Sequence, residues 1–139
     1  MPWIYQGLPF EEIPENAYGF VYIITQISTG KRYIGRKFFT KAGYKTVNKK
    51  RKKIRLESDW KDYYGSSPSV ARALEEFGKE DFSREIVRIC YNRSECSYYE
   101  SKLIFEHDAI LSEDFYNDWV SVKISSVHVN AVKNPKKEK

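Results

Sequence analysis

Two tyrosines, Tyr22 and Tyr33, are the residues of this chain whose type and spacing first suggest chemistry. A phenol can donate or accept a hydrogen bond, so two of them at one small site could act on a proton there. The apolar runs Phe20–Ile24 and Tyr33–Phe39 flank Ser28–Lys31, which predicts a hairpin with a tight turn. On such a hairpin the two phenols lie opposite or diagonal to each other, within side-chain reach.

A glutamate on a predicted helix can reach the same hairpin. The helix is predicted from about Glu95 to Asp108, and Asn92-Arg93-Ser94 is predicted to end the preceding strand and to cap this helix. Tyr99 and Leu103 are four positions apart and bury one face of this helix, and Glu100 lies on the adjoining edge. We therefore expect Glu100 to be half-buried at the rim of the core and to point toward the hairpin.

The remaining elements predict an α+β fold. The clearest helix runs from Ser67 as N-cap, with Pro68 at its first position, to Gly78 as its stop, and its predicted buried stripe is Val70, Leu74 and Phe77. Ser83–Cys90 reads as a third strand. The predicted architecture is a three-stranded, antiparallel-type central sheet flanked by helices.

The length of 139 residues suits a single domain, 1–139. Residues 1–18 are apolar but rich in proline, so we expect them to wrap the domain as an extended arm. Residues 120–129 alternate well enough to form a strand or an extended cover. Cys90 and Cys96 have no histidine near enough for a zinc pattern, which favours a reduced setting.

Positive charge is concentrated in one segment. Residues 31–55 contain twelve Lys and Arg and no acid, and a shorter basic tail covers 133–139. We interpret 41–56 as a basic insertion loop that contacts a phosphate backbone, the alternative being an ordinary solvated loop. The candidate DNA-binding residues are Lys37, Lys41, Lys45, Lys49, Lys50, Arg51, Lys52, Lys53 and Lys61.

The order of several short motifs resembles the GIY-YIG nuclease family. Phe20-Val21-Tyr22 and Tyr33-Ile34-Gly35 are similar to its paired signature, with Phe20 where the family usually has its first glycine. Further stretches follow in the family's order up to about residue 118: Tyr63-Tyr64-Gly65-Ser66-Ser67, Phe77-Gly78-Lys79-Glu80-Asp81-Phe82, Tyr98-Tyr99-Glu100 and Tyr116-Asn117. The ordered series is much more specific than the tyrosine pair alone. The chain is most similar to the small phage-encoded members.

The resemblance implies a role for each candidate residue. Glu100 would bind Mg²⁺ or Mn²⁺, and Tyr22 would act as or assist the general base. Tyr33 would orient the attacking water or contact the phosphate, and Asn117 would hold the site or a phosphate. The family's catalytic arginine has no direct counterpart, because its usual position is occupied by Gly43. Arg36 is our first candidate for that role and Arg55 the second.

Together these features predict a metal-dependent DNA endonuclease of the phage homing or host-DNA-degrading type. The alternative is a catalytically inactive nucleic-acid-binding protein that keeps the fold. Cutting both strands from one site would favour a homodimer or sequential nicks. The sequence has no apolar run of about 20 residues and no secretory pattern, so we expect no membrane span and a cytoplasmic location, in the host cell if a phage encodes the protein.

Overall fold

A computed structural model of the protein describes residues 2–120. Its main sheet has five strands in the order β2-β1-β7-β3-β4. The strands are β1 (Trp3–Tyr5), β2 (Leu8–Phe10), β3 (Gly19–Gln26), β4 (Arg32–Phe38) and β7 (Phe82–Cys90). All neighbours are antiparallel except β1 and β7, which are parallel.

The α+β class, the hairpin of β3 and β4 and the strand β7 were predicted and are confirmed. The prediction of a three-stranded antiparallel sheet is wrong, because residues 1–18 form more than a wrapping arm. They contain the hairpin β1–β2, whose turn at Gln6 and Gly7 has φ of 53° and 81°. The Trp3 ring is buried, and its Nε1 donates a hydrogen bond to the carbonyl of Trp60 at 2.6 Å. This burial anchors β1 to the core, where it pairs with β7.

In the part of the chain that the structure describes, two α-helices pack beside the sheet, α1 (Pro68–Phe77) and α2 (Arg93–Glu106). The predicted caps are confirmed: the Ser67 hydroxyl accepts from the Val70 N–H, and the Asn92 side chain accepts from the Glu95 N–H. The buried stripe of α1 was predicted partly wrongly. Phe77 is 49% exposed, while Ala73, a residue too small to stand out in the pattern, is buried. Short 3-10 turns cover Trp60–Asp62, Lys79–Asp81 and Ala109–Leu111.

The segment predicted as a basic loop is instead a second, two-stranded sheet. Strands β5 (Thr40–Val47) and β6 (Lys50–Glu57) pair antiparallel along their whole length. Asn48 and Lys49 form the turn with φ of 50° and 64°, as in the tight turns that match the twist of a hairpin. The prediction was wrong because it weighed the charges and overlooked the strand-forming residues between them. We call β5 and β6 with their turn the ribbon.

An aromatic cluster forms the main core under the sheet. Phe20, Tyr22, Phe39 and Trp60 are all fully buried in it. Phe20, at the position of the family's first glycine, packs edge-on to Trp3 with ring centroids 4.9 Å apart.

Cys90 and Cys96 are free, buried thiols. Among residues 2–120 no helix is long and apolar enough to cross a bilayer. The predicted basic tail and residues 121–129 of the predicted extended run lie outside the described residues.

Candidate active site

Strands β3 and β4 bring the two candidate tyrosines together as predicted. Tyr22 pairs with Gly35, and Tyr33 pairs with Ile24, so the tyrosines are diagonal neighbours on one face of the sheet. Their ring centroids are 6.3 Å apart. A diagonal pair lies close enough for two long side chains to share one site.

Two glycines make room for these rings. A Cβ atom on Gly35 would lie 2.3 Å from the Tyr22 hydroxyl oxygen, so the phenol lies directly across the main chain of β4. Gly65 has φ of +90°, and a Cβ there would lie 3.1 Å from the Tyr33 ring. Glycine is therefore required at the first position by a close approach and at the second by the backbone conformation.

The Tyr22 hydroxyl is buried and has no hydrogen-bond partner among the described residues. Burial raises the pKa of this phenol well above its ordinary value of 10.0, and the phenols of Tyr63 and Tyr33 and the Glu100 carboxylate add to the effect. Tyr22 is therefore a neutral phenol at neutral pH. The Tyr63 phenol is its nearest polar neighbour and contributes to the raised pKa, with the two ring centroids 6.1 Å apart. Because this buried hydroxyl also lines a cavity, it is available to a group that binds there.

Tyr33 is less enclosed and is held by a different neighbour. Burial raises the pKa of its phenol, while a hydrogen bond with the Ser66 side chain opposes this shift. Sequence reasoning gave Ser66 no role, although it lies within the quoted motif after Tyr63 and Tyr64. The structure places it beside the Tyr33 hydroxyl, where it can orient the phenol.

Arg36 and Glu100 approach the tyrosines from the other face of the sheet. Side chains alternate along a strand, so Arg36, which pairs with Val21, points away from the face of Tyr33 and toward α2. Its Nη1 lies 3.9 Å from Glu100 Oε1, with 31% and 22% of the two side chains exposed. The same nitrogen donates a hydrogen bond to Ser97 Oγ on the preceding turn of α2.

Burial raises the pKa of the Glu100 carboxyl above its ordinary value of 4.5, and Arg36 opposes this shift. One arginine at 3.9 Å thus compensates only part of the desolvation of the carboxylate. A further cation would stabilise the charged form of Glu100. The prediction that Glu100 is half-buried and faces the hairpin is confirmed.

Asn117 holds the edge of the sheet. Its Oδ1 accepts from the Ile34 N–H at 3.0 Å, and its Nδ2 donates to the Ile34 carbonyl at 2.8 Å. Two further hydrogen bonds join the main chain of Arg32 to residues 114 and 116. The segment 114–117 therefore covers the first part of β4, and Asn117 acts on the main chain, with its amide already engaged.

A cavity of about 210 Å³ opens where this segment leaves β4. Its lining includes Tyr22, Tyr33, Arg36, Glu100 and Asn117, so five of the candidate residues meet at the edge of the sheet. Sequence reasoning missed Asp118 and Trp119, which also line it; Trp119 is 73% exposed. No signal in the single sequence distinguished these two residues from a turn.

Arg55, the second candidate for the catalytic arginine, is not among the residues that line this cavity. Its guanidinium donates to the carbonyl and to the hydroxyl oxygen of Thr40 at the base of the ribbon, at 2.9 and 3.0 Å. It thereby joins the two ribbon strands. Of the two arginines, Arg36 is the one that the structure places beside Glu100.

The donor groups of the cavity suit a hard divalent cation. Within residues 2–120, no three His, Cys, Asp or Glu side chains cluster as a ready-made metal cage. The cavity instead offers the incompletely compensated Glu100 carboxylate and the unpartnered Tyr22 hydroxyl, both oxygen donors. Mg²⁺ commonly binds through one or two carboxylates and keeps waters and substrate oxygens as its other ligands. The residues present therefore fit Mg²⁺ or Mn²⁺.

The candidate DNA-binding residues divide into two groups. Seven of them lie on the exposed ribbon: Lys41, Lys45, Lys49, Lys50, Arg51, Lys52 and Lys53. Lys37 is already paired with Asp59 at 2.7 Å and lies over the Tyr63 ring. Lys61 lines a separate cavity near Trp3. The ribbon is thus the largest concentration of free positive charge among these candidates.

The tyrosine hairpin, the glutamate on the helix behind it and the asparagine at the sheet edge define a protein of the GIY-YIG class. Over residues 3–120 the chain matches the family described as "Putative endonuclease segE, GIY-YIG domain", and it belongs to that family. It is 29% identical over 101 residues to "Putative endonuclease segE" of Enterobacteria phage T4, a match that covers 72% of this chain. The chain spans about 40% of the length of that relative. No solved structure matches.

Proposed function

We propose that the protein is a metal-dependent endonuclease that hydrolyses phosphodiester bonds in DNA. The observation that carries the proposal is the Arg36–Glu100 pair, 3.9 Å apart, in the cavity that also contains the two tyrosines. Hydrolysis of a phosphodiester needs a deprotonated nucleophile, neutralised phosphoryl oxygens and a stabilised leaving oxygen. The family match and the similarity to the phage relative support the same activity.

Each residue in the cavity has a role that follows from its environment. Arg36 is a permanent cation with its other face open to the cavity, so it binds a phosphoryl oxygen as negative charge builds up. Tyr33, hydrogen-bonded to Ser66, orients the attacking water or the phosphate. Asn117 keeps β4 in place, and with it Tyr33 and Arg36.

Tyr22 accepts a proton only if a cation lowers the pKa of its phenol, because burial alone makes the phenolate unfavourable. Glu100 would hold Mg²⁺ or Mn²⁺, with Tyr22 nearby. The bound ion would lower the pKa of an oxygen nucleophile and neutralise phosphoryl charge. Without the ion, the chain's own residues hold the phosphate and leave the phenol protonated.

The test is a plasmid-nicking assay with Mg²⁺, with Mn²⁺ and with chelator. We expect cleavage by the wild-type protein in either metal, and none by Glu100→Gln, which keeps the shape of the side chain but removes its charge. Glu106→Gln is the matched control, since it makes the same change on the same helix at an exposed residue, whose ion-pair partner within residues 2–120 is Lys102. Chelator-resistant cleavage would contradict the metal dependence.

A wild-type protein that binds DNA but never cuts it would instead establish the inactive binding protein. The digest also separates the finer types. A single cleavage site in a long DNA would indicate a homing-type enzyme, and many sites a host-DNA-degrading one. Linear product that appears without a nicked intermediate, and only at high protein concentration, would indicate a homodimer.

A further inference from the structure

The ribbon is the largest feature of the described chain that the catalytic cavity does not use. Between residues 41 and 57 every residue is exposed except Gly43 and Ile54, which face each other and are half-buried. At about 3.3 Å per residue, its eight-residue strands extend about 25 Å. It therefore stands away from the body of the protein as a free antiparallel hairpin.

Both faces of the ribbon are positively charged. Arg51, Lys53 and Arg55 lie on the face that also carries Tyr44, and the other face has a lysine set: Lys41, Lys45, Lys50 and Lys52. Lys45 and Lys52 are direct partners across the strands. Like charges in that position destabilise a sheet, and no acidic residue occurs between 41 and 56 to compensate for them.

The base of the ribbon is fixed to the core next to the catalytic cavity. The Ser58 N–H donates to the Phe39 carbonyl at 2.8 Å, and the Ser58 hydroxyl donates to the Phe38 carbonyl at 2.6 Å. Phe39 is fully buried. A second cavity at this base is lined by Lys37, Lys41 and also Arg36, which lines the catalytic cavity as well. Asp59, paired with Lys37, also lines this second cavity. Arg36 is common to both cavities and therefore connects the site of chemistry to the base of the ribbon.

We propose that the ribbon enters the major groove of duplex DNA beside the bond that is cut. This inference rests on the proposed function, because it names how the same DNA substrate is held. The major groove, about 12 Å wide, admits a two-stranded ribbon in undeformed duplex DNA. The minor groove, about 6 Å wide, admits one only when the DNA is bent or widened, which costs free energy. Cations on both faces then meet the phosphates on both walls of the groove.

The arrangement of the ribbon also determines where the contacts fall. Arg51 lies over the Tyr44 ring at 3.9 Å, which leaves an arginine and an aromatic side chain on one exposed face, suited to base edges. A reach of about 25 Å covers about seven base pairs at 3.4 Å each. The ribbon therefore contacts DNA on one side of the cleavage point, within one helical turn.

The first test measures binding of a 30-base-pair DNA duplex by fluorescence anisotropy, in chelator and over a range of salt concentrations. Lys45→Gln/Lys52→Gln should reduce the magnitude of the log–log salt slope by about 1.8, since each lost phosphate contact removes about 0.9. The change removes a like-charge pair, so the hairpin should remain folded. Lys79→Gln/Lys102→Gln removes the same charge outside the ribbon and should leave the slope unchanged. Equal slopes for wild type and the ribbon variant would overturn the proposal.

The second test identifies the groove. A duplex with 5-propynyl pyrimidines, whose substituents fill the major groove, should bind the wild-type protein at least tenfold more weakly. A duplex with inosine in place of guanine, which alters the minor groove, should bind within twofold. Undiminished binding of the propynyl duplex would overturn groove entry. Equal affinity for a 30-base-pair RNA duplex would also do so, because the major groove of RNA is too deep and narrow for a side chain to read.

These measurements contain no divalent metal and require no cleavage. A protein that binds through the ribbon but fails the nicking assay would refute the proposed function and leave this inference standing. A protein that cuts DNA while the ribbon variant binds like wild type would refute this inference and leave the proposed function standing.

Discussion

Tyr22→Phe should make the protein more stable and less active at once. The substitution keeps the buried ring and removes a hydroxyl that has no hydrogen-bond partner among the described residues. A buried, unsatisfied polar group costs about 1–3 kcal/mol, so the free energy of unfolding should rise by about 1 kcal/mol or more. With a urea m-value of about 2 kcal/mol/M, the midpoint should move up by about 0.5 M.

Urea melts followed by circular dichroism measure the stability, and single-turnover cleavage in Mg²⁺ measures the activity. The cleavage rate should fall at least a hundredfold if the phenol transfers a proton in the reaction. Tyr116→Phe is the matched control for stability. Its hydroxyl donates to Gln26 Oε1, so the same change there should lower the stability. A Tyr22→Phe protein that is less stable than wild type would refute the reasoning, because the hydroxyl would then have a partner, most simply Tyr63. Unchanged cleavage would make Tyr22 a core residue only.

Three further predictions follow from the site. Gly35→Ala should lower the free energy of unfolding by about 1–3 kcal/mol in a urea melt, because the added Cβ meets the buried Tyr22 ring, which cannot move. Gly43→Ala is the control: its Cβ meets only the flexible, exposed Leu56 side chain, so the free energy of unfolding should change by less than about 0.5 kcal/mol. Asn117→Ala should lower the free energy of unfolding by about 2–4 kcal/mol, since it leaves the N–H and the carbonyl of Ile34 in β4 without the Asn117 amide. A variant as stable as wild type would show that water replaces the amide. The pKa of Glu100 is raised in the folded protein, so its stabilising contribution is present at low pH and is lost as the pH rises through that pKa. Glu100→Gln should therefore be more stable than wild type at neutral pH. In the Arg36→Gln variant, a carboxyl NMR titration should show a pKa of Glu100 that is raised further. An unchanged pKa would mean that Arg36 and Glu100 are not coupled.

Sequence reasoning located the parts of the site whose signals are local. The turn residues between two strand-forming runs indicate the β3–β4 hairpin, and the period of a helix places Glu100 on the edge that faces it. The diagonal position of Tyr22 and Tyr33 follows from that hairpin alone. These features depend on residues close together in the chain, where propensity and spacing carry most of the information.

The features that sequence reasoning missed depend on residues far apart. The pairing of β1 with β7 joins Ile4 to Glu85, and no local pattern in either strand announces its partner. The role of Asn117 depends on main-chain groups 83 positions away. The ribbon was missed for another reason, since its charges outweighed Tyr44 and the other strand formers in the prediction. The sequence ranked Arg36 before Arg55, but the physical reason for that order, the Glu100 carboxylate on α2 beside Arg36, depends on the position of α2 in the folded chain.

The way the ribbon joins the body makes it exchangeable. The chain leaves the core at Phe39 and returns at Ser58, and a 2.8 Å hydrogen bond connects these two residues. Everything between them could be shortened, lengthened or replaced by another hairpin without altering the path of β4 or the buried rings beneath it. A protein built in this way can acquire a new preference for its substrate through changes in about 18 residues, while the groups that perform the chemistry stay where they are.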